Sequence, residues 1–373
     1  MKVEFFKHNI DEDDIARVVD VLNSVFLTNA SVTQEFEDEF SKYLNIEYSV
    51  AVSSCTAALH LSLLALDIAQ GDEVITTPMS FIATSNSILH SGATPVFVDV
   101  EKDTGNINAD LIEQAITPRT KAIMPVHLYG NMCDMRKIKE IAKKHNLKII
   151  EDAAHCIEGK RDGIRVGEYA DLACFSFYAT KNITSGEGGC VVCHDEETAQ
   201  RLKRLRLHGM SKDAASRHGG EYKHWDMTEL GWKYNTTDIQ SALLIGQLKQ
   251  IEKRRESRKK IVEKYISAFD KAGIDYIKVS EESISAFHLF TILVDERDRV
   301  ITALNEKNIA VAVNYNPIHL TTYYKDTYGY EAGDFPVAED IGKKTISLPL
   351  YPSMDMQSVD YVIDTLIKIV KAY

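Results

Sequence analysis

The chain lacks the long apolar runs that would place it in a membrane. No stretch of its 373 residues approaches the roughly 20 consecutive apolar residues of a membrane-spanning helix. The first residues also lack the apolar segment of a secretory signal peptide, so we expect a cytoplasmic protein. The sequence contains neither an internal repeat nor a low-complexity segment.

The chain also lacks an excess of basic residues. Its formal net charge of −12 argues against nonspecific binding to nucleic acids. An anionic ligand would therefore need a local cluster of basic side chains. One basic run has the composition of a solvated helix face; it consists of Lys249, Lys253, Arg254, Arg255, Arg258, Lys259 and Lys260.

Cysteines are few and scattered. Cys190 and Cys193 have the spacing of a redox or zinc motif, but both fall in a valine-rich segment that we predict to be a strand. A strand points residues i and i+3 to opposite faces. We therefore expect buried small apolar residues here, and neither a metal site nor a redox site.

The order of apolar segments predicts an α/β fold. Between residues 48 and 150, short strand-like segments alternate with helical ones, which predicts a mostly parallel sheet covered by helices on both faces. The length fits a large domain, placed at residues 1–250, and a smaller C-terminal α/β domain at 251–373. Further predicted elements include one long helix at 239–266 and strands at 287–294 and 309–313.

A lysine between two apolar segments is the most informative residue. Lys181 follows the run Phe175-Ser176-Phe177 and precedes the turn Gly186-Glu187-Gly188-Gly189. Desolvation at such a place favours the neutral amine, which can act as a nucleophile and form a Schiff base. Asp152 ends another predicted strand, and ligands bind at the carboxyl ends of strands in such sheets. Pyridoxal phosphate (PLP) needs this pair, a lysine for its aldehyde and a carboxylate for its pyridinium nitrogen.

The residues at the start of one predicted helix are suited to bind an anion. Ser53 to Ala57 end a predicted strand and begin a helix. Hydroxyls and free N–H groups at a helix start can hold a phosphate.

Three motifs together resemble the DegT/DnrJ/EryC1/StrS family of PLP-dependent nucleotide-sugar aminotransferases, from about residue 5 to the C-terminus. They are Glu151-Asp152-Ala153-Ala154-His155, then Ser176-Phe177-x-x-x-Lys181-Asn182-Ile183-Thr184-x-Gly186-Glu187-Gly188-Gly189, then Lys233-Tyr234-Asn235-x-Thr237-Asp238. The form around Lys181 resembles the branch that aminates C4 of a 4-keto sugar.

The resemblance implies roles for further residues. Those at the cofactor are Thr56, Ala57 and Ser176 at the phosphate, Phe81 stacked on the ring, His155 beside the ring, and Asn235 reaching the phosphate in the neighbouring subunit's site. Those near the substrate are Thr28, Tyr315, His319 and Tyr323. Two departures from the family pattern, at residues 28–32 and at Asn314, concern sugar and nucleotide specificity and leave the cofactor chemistry untouched.

The polar segment 209–225 suits either a loop over the nucleotide diphosphate or a plain solvent loop; its basic residues are Lys212, Arg217, His218, Lys223 and His224.

The resemblance thus implies a fold-type I PLP aminotransferase with a seven-stranded central sheet, homodimeric, with composite active sites. It would transfer an amino group from L-glutamate to C4 of a UDP- or dTDP-linked 4-keto-6-deoxyhexose, for surface glycans. One alternative is C3 amination or another PLP-dependent nucleotide-sugar reaction on this fold, although Lys181 argues against a 3-dehydrase, in which histidine replaces it. Another alternative is a regulator that binds PLP without turnover, against which the intact Lys181, Asp152 and Ser176 argue.

Overall fold

A computed structural model describes residues 1–211 and 224–372 of the chain. Its strands are β1 Tyr48–Val52, β2 Glu73–Thr76, β3 Thr94–Phe97, β4 Thr120–Ile123, β5 Lys148–Asp152, β6 Lys160–Arg161, β7 Ile164–Arg165, β8 Leu172–Ser176, β9 Gly189–Cys193, β10 Asp275–Tyr276, β11 Ser283–Ile284, β12 Phe290–Leu293 and β13 Thr345–Leu348. Seven of them form the central sheet, in the order β1-β9-β8-β5-β4-β2-β3. Neighbours from β8 to β3 are parallel, whereas β9 is antiparallel to both β8 and β1. The predicted mostly parallel seven-stranded sheet is therefore confirmed.

Helices cover both faces of this sheet, and others lie in the C-terminal part of the chain. They are α1 Glu12–Leu22, α2 Ser31–Leu44, α3 Cys55–Ala65, α4 Ala83–His90, α5 Ala109–Ile112, α6 Met135–His145, α7 Glu196–Leu205, α8 Asp238–Lys249, α9 Ile251–Ala272, α10 Arg297–Glu306, α11 Thr322–Tyr328, α12 Pro336–Lys344 and α13 Met356–Val370. Alternation along β9 sends Cys190 and Val192 into one apolar core and Val191 and Cys193 into the core on the other face. The two cysteines thus point apart, as their spacing predicts.

A third apolar core lies in the C-terminal part of the chain. There α9, α10 and α13 pack around the sheet β10-β12-β13. The division of the chain near residue 250 stays a prediction. Over the described ranges, no helix is both long and apolar enough to cross a membrane, and no group of three or more His, Cys, Asp or Glu side chains has the arrangement of a metal site.

Two predictions about the C-terminal half were wrong. The helix predicted at 239–266 is two helices, because Gln250 leaves helical geometry (φ −104°, ψ 0°) and its Nε2 donates to Asp11 Oδ2 at 3.0 Å. The segment 309–313 makes only isolated bridges to Val3 and Ser347 where a strand was predicted.

The basic run on α9 is not wholly a solvated face either. Arg254 and Arg258 are only 7% and 2% exposed, because they share the face that α9 turns toward the protein interior. Of the predicted loop at 209–225, Lys212, Arg217, His218 and Lys223 lie outside the described residues.

Candidate active site

A cavity of about 520 Å³ opens at the carboxyl ends of β5 and β8, beside the first turn of α3. Its volume is in the range of small-molecule sites. It brings together seven of the predicted site residues, namely Thr56, Phe81, Asp152, His155, Ser176, Lys181 and Tyr315. Parallel strands end at one edge of a sheet, which is why residues distant in the chain meet here.

Lys181 lies in the turn that follows β8. Its backbone N–H donates to the Tyr178 carbonyl at 2.9 Å, and its side chain faces the cavity. Burial lowers the pKa of the amine to about 8, although the nearby Cys55 and Asp152 act to raise it. Far more neutral amine is therefore available near neutral pH than at the ordinary lysine pKa of 10.5, as a nucleophile or a base requires.

Asp152 ends β5 and is 4% exposed. Its Oδ2 accepts a hydrogen bond from Thr84 Oγ1 at 2.7 Å, and its Oδ1 accepts one from the Ala154 N–H at 3.1 Å. Burial raises the pKa of this carboxyl, while these two hydrogen bonds and Lys181 lower it. A buried carboxylate that is oriented in this way fits a positively charged ring N–H.

A buried pair behind Asp152 was missed in the sequence. His127 Nε2 lies 2.9 Å from Glu151 Oε2, and both side chains are fully buried. The Gly167 N–H donates to the same Glu151 oxygen at 2.8 Å. The available signal was an acidic residue beside Ile149 and Ile150 in a strand covered on both faces, since a buried charge requires a partner.

His155 is held in one tautomer at the side of the cavity. Its Nδ1 accepts from the Tyr129 N–H at 3.3 Å, which leaves Nε2 protonated to face the Tyr315 hydroxyl at 3.2 Å. Burial, and to a smaller extent the charge of Lys181, keep the pKa of His155 well below its usual value. The ring is therefore a neutral group with a fixed orientation.

The first turn of α3 forms a cradle beside these groups. Ser54 caps the helix by accepting from the Ala57 N–H at 3.1 Å, and Thr56 faces the cavity. A Cβ atom at Gly189 would lie 2.4 Å from the Ser54 carbonyl carbon. Only glycine therefore allows β9 to approach this turn. Together with Ser176 at the end of β8, the turn offers hydroxyls and a helix N-terminus of the kind that binds a phosphate.

Two predicted residues lie together but outside the cavity. Asn235 Nδ2 lies 3.4 Å from Thr28 Oγ1, and its Oδ1 is buried without a hydrogen-bond partner within the described part of the chain. Nearby, Asp238 caps α2 from a distance in sequence, since its Oδ1 accepts from the N–H groups of Ala30 and Thr33 at 2.8 and 3.0 Å. The segment at 28–33 is thus fixed to the start of α8.

The two remaining substrate predictions also fall outside this cavity. His319 is completely buried and lies 3.1 Å from Glu339 Oε1. Tyr323 is 58% exposed on α11. The roles predicted for these residues stay predictions, as do those of the predicted residues in and beside the cavity.

The residues present fit PLP. Lys181 offers an amine for the aldehyde, Asp152 a carboxylate for the ring nitrogen, and Phe81 an apolar face exposed to the cavity. The start of α3 and Ser176 would hold the phosphate, and His155 would lie beside the ring.

Comparisons with known proteins agree with this fit. A model described as the DegT/DnrJ/EryC1/StrS aminotransferase family matches residues 8–367. The spore coat polysaccharide biosynthesis protein SpsC of Bacillus subtilis is 42% identical over 371 residues, which cover 97% of this chain and 95% of that protein.

Solved structures of two proteins share the whole fold. The "Putative sugar aminotransferase Spr1654" of Streptococcus pneumoniae, in its PMP form, has a TM-score of 0.95 at 34% identity and covers 100% of both chains. Its PLP form has a TM-score of 0.93 at 32% identity and covers 100% of this chain and 99% of that one. PseC of Helicobacter pylori, an aminotransferase involved in the biosynthesis of pseudoaminic acid, has a TM-score of 0.93 at 29% identity, again over 100% of both chains. The predicted family, fold class, aminotransferase activity and PLP cofactor are thereby confirmed.

Proposed function

We propose that this chain, which belongs to the DegT/DnrJ/EryC1/StrS aminotransferase family, aminates C4 of a nucleotide-linked keto sugar. The amino donor is L-glutamate, the acceptor is a UDP- or dTDP-linked 4-keto-6-deoxyhexose, and the product enters the biosynthesis of surface glycans. The observation that carries the proposal is the convergence of Lys181 and Asp152 on one cavity at the carboxyl ends of β5 and β8.

Sugar chemistry is supported by two of the similar proteins. SpsC is named for spore coat polysaccharide biosynthesis, and PseC for the biosynthesis of pseudoaminic acid. Position C4 is supported by the sequence Lys181-Asn182-Ile183-Thr184-x-Gly186-Glu187-Gly188-Gly189.

When it is bound, PLP supplies an electron-withdrawing ring that stabilises negative charge on the carbon beside the transferred nitrogen. Asp152 keeps the ring nitrogen positively charged, and its bonds to Thr84 and Ala154 orient it before the reaction, so that no reorganisation is needed. Lys181 Nζ moves the proton that leaves the donor carbon and later delivers one to the sugar carbon. A pKa of about 8 suits an amine that must act both as base and as acid.

A second copy of the chain completes each site in this proposal. Among the described residues that line the cavity, Lys181 is the single lysine or arginine, so a nucleotide diphosphate needs cationic or polar groups from elsewhere. Asn235 lies outside its own chain's cavity, in keeping with a role in the site of the partner subunit. An apolar stripe on α1 supports a homodimer, because Ile15, Val19 and Leu22 share one face and are each about half exposed.

A panel of nucleotide-linked 4-keto sugars, together with matched 3-keto sugars, is incubated with enzyme, PLP and L-glutamate to test the proposal. Mass spectrometry detects the amine, and NMR spectroscopy of the product assigns its position. We expect a 4-amino sugar from the wild type and none from Lys181→Ala. A 3-amino product from a 3-keto sugar would favour the C3 alternative. Bound PLP without turnover of any panel member or of glutamate would favour a regulator.

A further inference from the structure

A buried polar network links helix α9 to the residue that follows Lys181. Arg258 on α9 donates from Nη2 to Glu158 Oε1 at 2.5 Å. Asn182 donates from Nδ2 to both oxygens of the same carboxylate, at 3.0 Å each. Glu158 and Arg258 are 1% and 2% exposed. One carboxylate therefore holds the neighbour of Lys181 on one side and α9 on the other, away from water.

The network continues from Asn182 to the cofactor site. Because Nδ2 of Asn182 faces a carboxylate, its Oδ1 faces His288 Nδ1 at 3.2 Å, and His288 is the donor in that bond. The His288 ring packs against the His155 ring with 4.4 Å between their centroids. His155 lines the same cavity as Lys181. The orientation of Asn182 is thus coupled to that of a ring beside the cofactor.

The backbone at Ala286 joins the same groups. Its carbonyl accepts from Asn182 Nδ2 and from Arg258 Nη2, both at 3.1 Å. Its N–H donates to the Gly130 carbonyl at 2.9 Å. A displacement of α9 or of the segment at 286–288 would therefore move Asn182, and with it the turn that carries Lys181.

Stability alone does not account for a buried ion pair. Both ions lose their hydration on burial, and well-packed apolar residues in their place are often as stabilising. A buried network whose partners are satisfied does, however, specify one arrangement. Here that arrangement includes the Lys181 turn and the His155 ring, and proton transfer depends on such placement.

We propose that Glu158 and Arg258 are positioning residues for the reaction, acting through Asn182 on the turn that carries Lys181 and through His288 on His155. Neither Glu158 nor Arg258 lines the cavity. The inference rests on the proposed role of Lys181 in the reaction.

Glu158→Gln is the first test. Glutamine keeps the shape of the side chain, but it has one acceptor oxygen for Asn182 and no charge to face Arg258. With saturating L-glutamate, the visible absorbance of the bound cofactor should disappear about tenfold more slowly or worse, because misplacement of a reacting group lowers the rate of the chemical step. The glutamate concentration for half-maximal rate should stay nearly constant. The pH titration of the same absorbance should shift downward, because Arg258 loses its counter-charge.

Glu73→Gln is the matched control. Glu73 is also a buried carboxylate paired with an arginine, Arg119. It is the first residue of β2, and the cavity lies at the opposite, carboxyl ends of the strands. After normalisation to cofactor content, Glu73→Gln should lose its visible absorbance with L-glutamate as fast as the wild type, and the pH titration of that absorbance should be unchanged. Equal behaviour of Glu158→Gln and Glu73→Gln would overturn the inference.

A double variant separates positioning from stability, and it serves also if Glu158→Gln fails to fold. Glu158→Leu/Arg258→Met leaves no unpaired buried charge, so it should fold. It should nevertheless remain slow, because Asn182 has lost its carboxylate acceptor. Recovery of the wild-type rate by this variant would show a purely structural pair and overturn the inference. Lys181→Ala tests the proposed function separately from this inference. If the cofactor bound to this variant keeps the wild-type visible absorbance, the proposed role of Lys181 is itself wrong.

Discussion

Asp152→Asn tests the electron-withdrawing role of the cofactor ring with little change of shape. Asparagine Oδ1 can still accept from the Ala154 N–H, now at 3.1 Å. Its Nδ2 can donate to Thr84 Oγ1, because that hydroxyl can turn its own proton toward Ser80 Oγ, 2.8 Å away. The fold should therefore tolerate the change, and PLP should still bind through Lys181 and the phosphate cradle.

The size of the effect follows from the burial of the carboxylate. A hydrogen bond to a charged group contributes about 1.5–3 kcal/mol, against about 0.5–1.5 kcal/mol for a neutral one. Loss of one preoriented electrostatic partner in a site that excludes water costs about 2.7–4 kcal/mol in the transition state. With Asp152 only 4% exposed, we expect the activation free energy to rise by about 2–4 kcal/mol, or about 30- to 1000-fold in rate.

The assay is a single turnover of the enzyme-bound cofactor with L-glutamate, followed by loss of visible absorbance. Cofactor content is matched between variants, and Glu73→Gln serves as the control for loss of a buried carboxylate far from the cavity. A slowing of about tenfold or less, equivalent to about 1.4 kcal/mol, would show that Asp152 is not the partner of the ring nitrogen.

Three further predictions concern Lys181 and the composite site. Lys181→Ala should abolish turnover and leave PLP bound only non-covalently; borohydride reduction and peptide mapping of the wild type check this, and a label on any other lysine would contradict it. Since only the neutral amine is nucleophilic, the pKa near 8 of Lys181 predicts that covalent capture of PLP by cofactor-free enzyme accelerates as pH rises through about that value, whereas a midpoint near the ordinary lysine value of 10.5 would refute the argument from burial. Lys181→Ala and Asn235→Ala homodimers should each be nearly inactive, but random reassortment puts one intact site in about half of the dimers and should return roughly a quarter of wild-type activity. If mass spectrometry confirms mixed dimers and activity stays at the parental level, Asn235 acts within its own chain.

The sheet and the meeting of Lys181 and Asp152 in one cavity could be predicted because they depend on local pattern. Short apolar strands that alternate with helices allow few topologies, and parallel strands must end at a common edge. Asp152 ends β5 and Lys181 follows β8, and these two strands are neighbours, with Asp152 opposite Cys174. Residue type and position at a strand end were therefore enough to bring these two side chains into one cavity.

The errors arose where tertiary contacts override local pattern. No proline between residues 239 and 266 marks a helix break, and the glycine there, Gly246, lies inside α8 and not at the break. The break at Gln250 accompanies a hydrogen bond to Asp11, 239 positions away in sequence. In the same way, the basic run that contains Arg254 and Arg258 predicts a solvated face, because the sequence does not show which face of α9 packs against the protein interior.

The network around Glu158 shows how far a sequence can point to a buried charge without identifying its partner. Glu158 follows Cys156 and Ile157, and if such an acidic side chain is buried it requires a counter-charge. Its partner Arg258 lies 100 positions away, beyond the predicted domain boundary near residue 250. The pair can therefore form only when α9 is packed against the part of the chain that carries Glu158. Because Asn182 binds the same carboxylate, the proposed positioning makes the Lys181 turn depend on that packing. A change in how α9 packs should therefore be detected first in the pH titration of the visible absorbance of the bound cofactor.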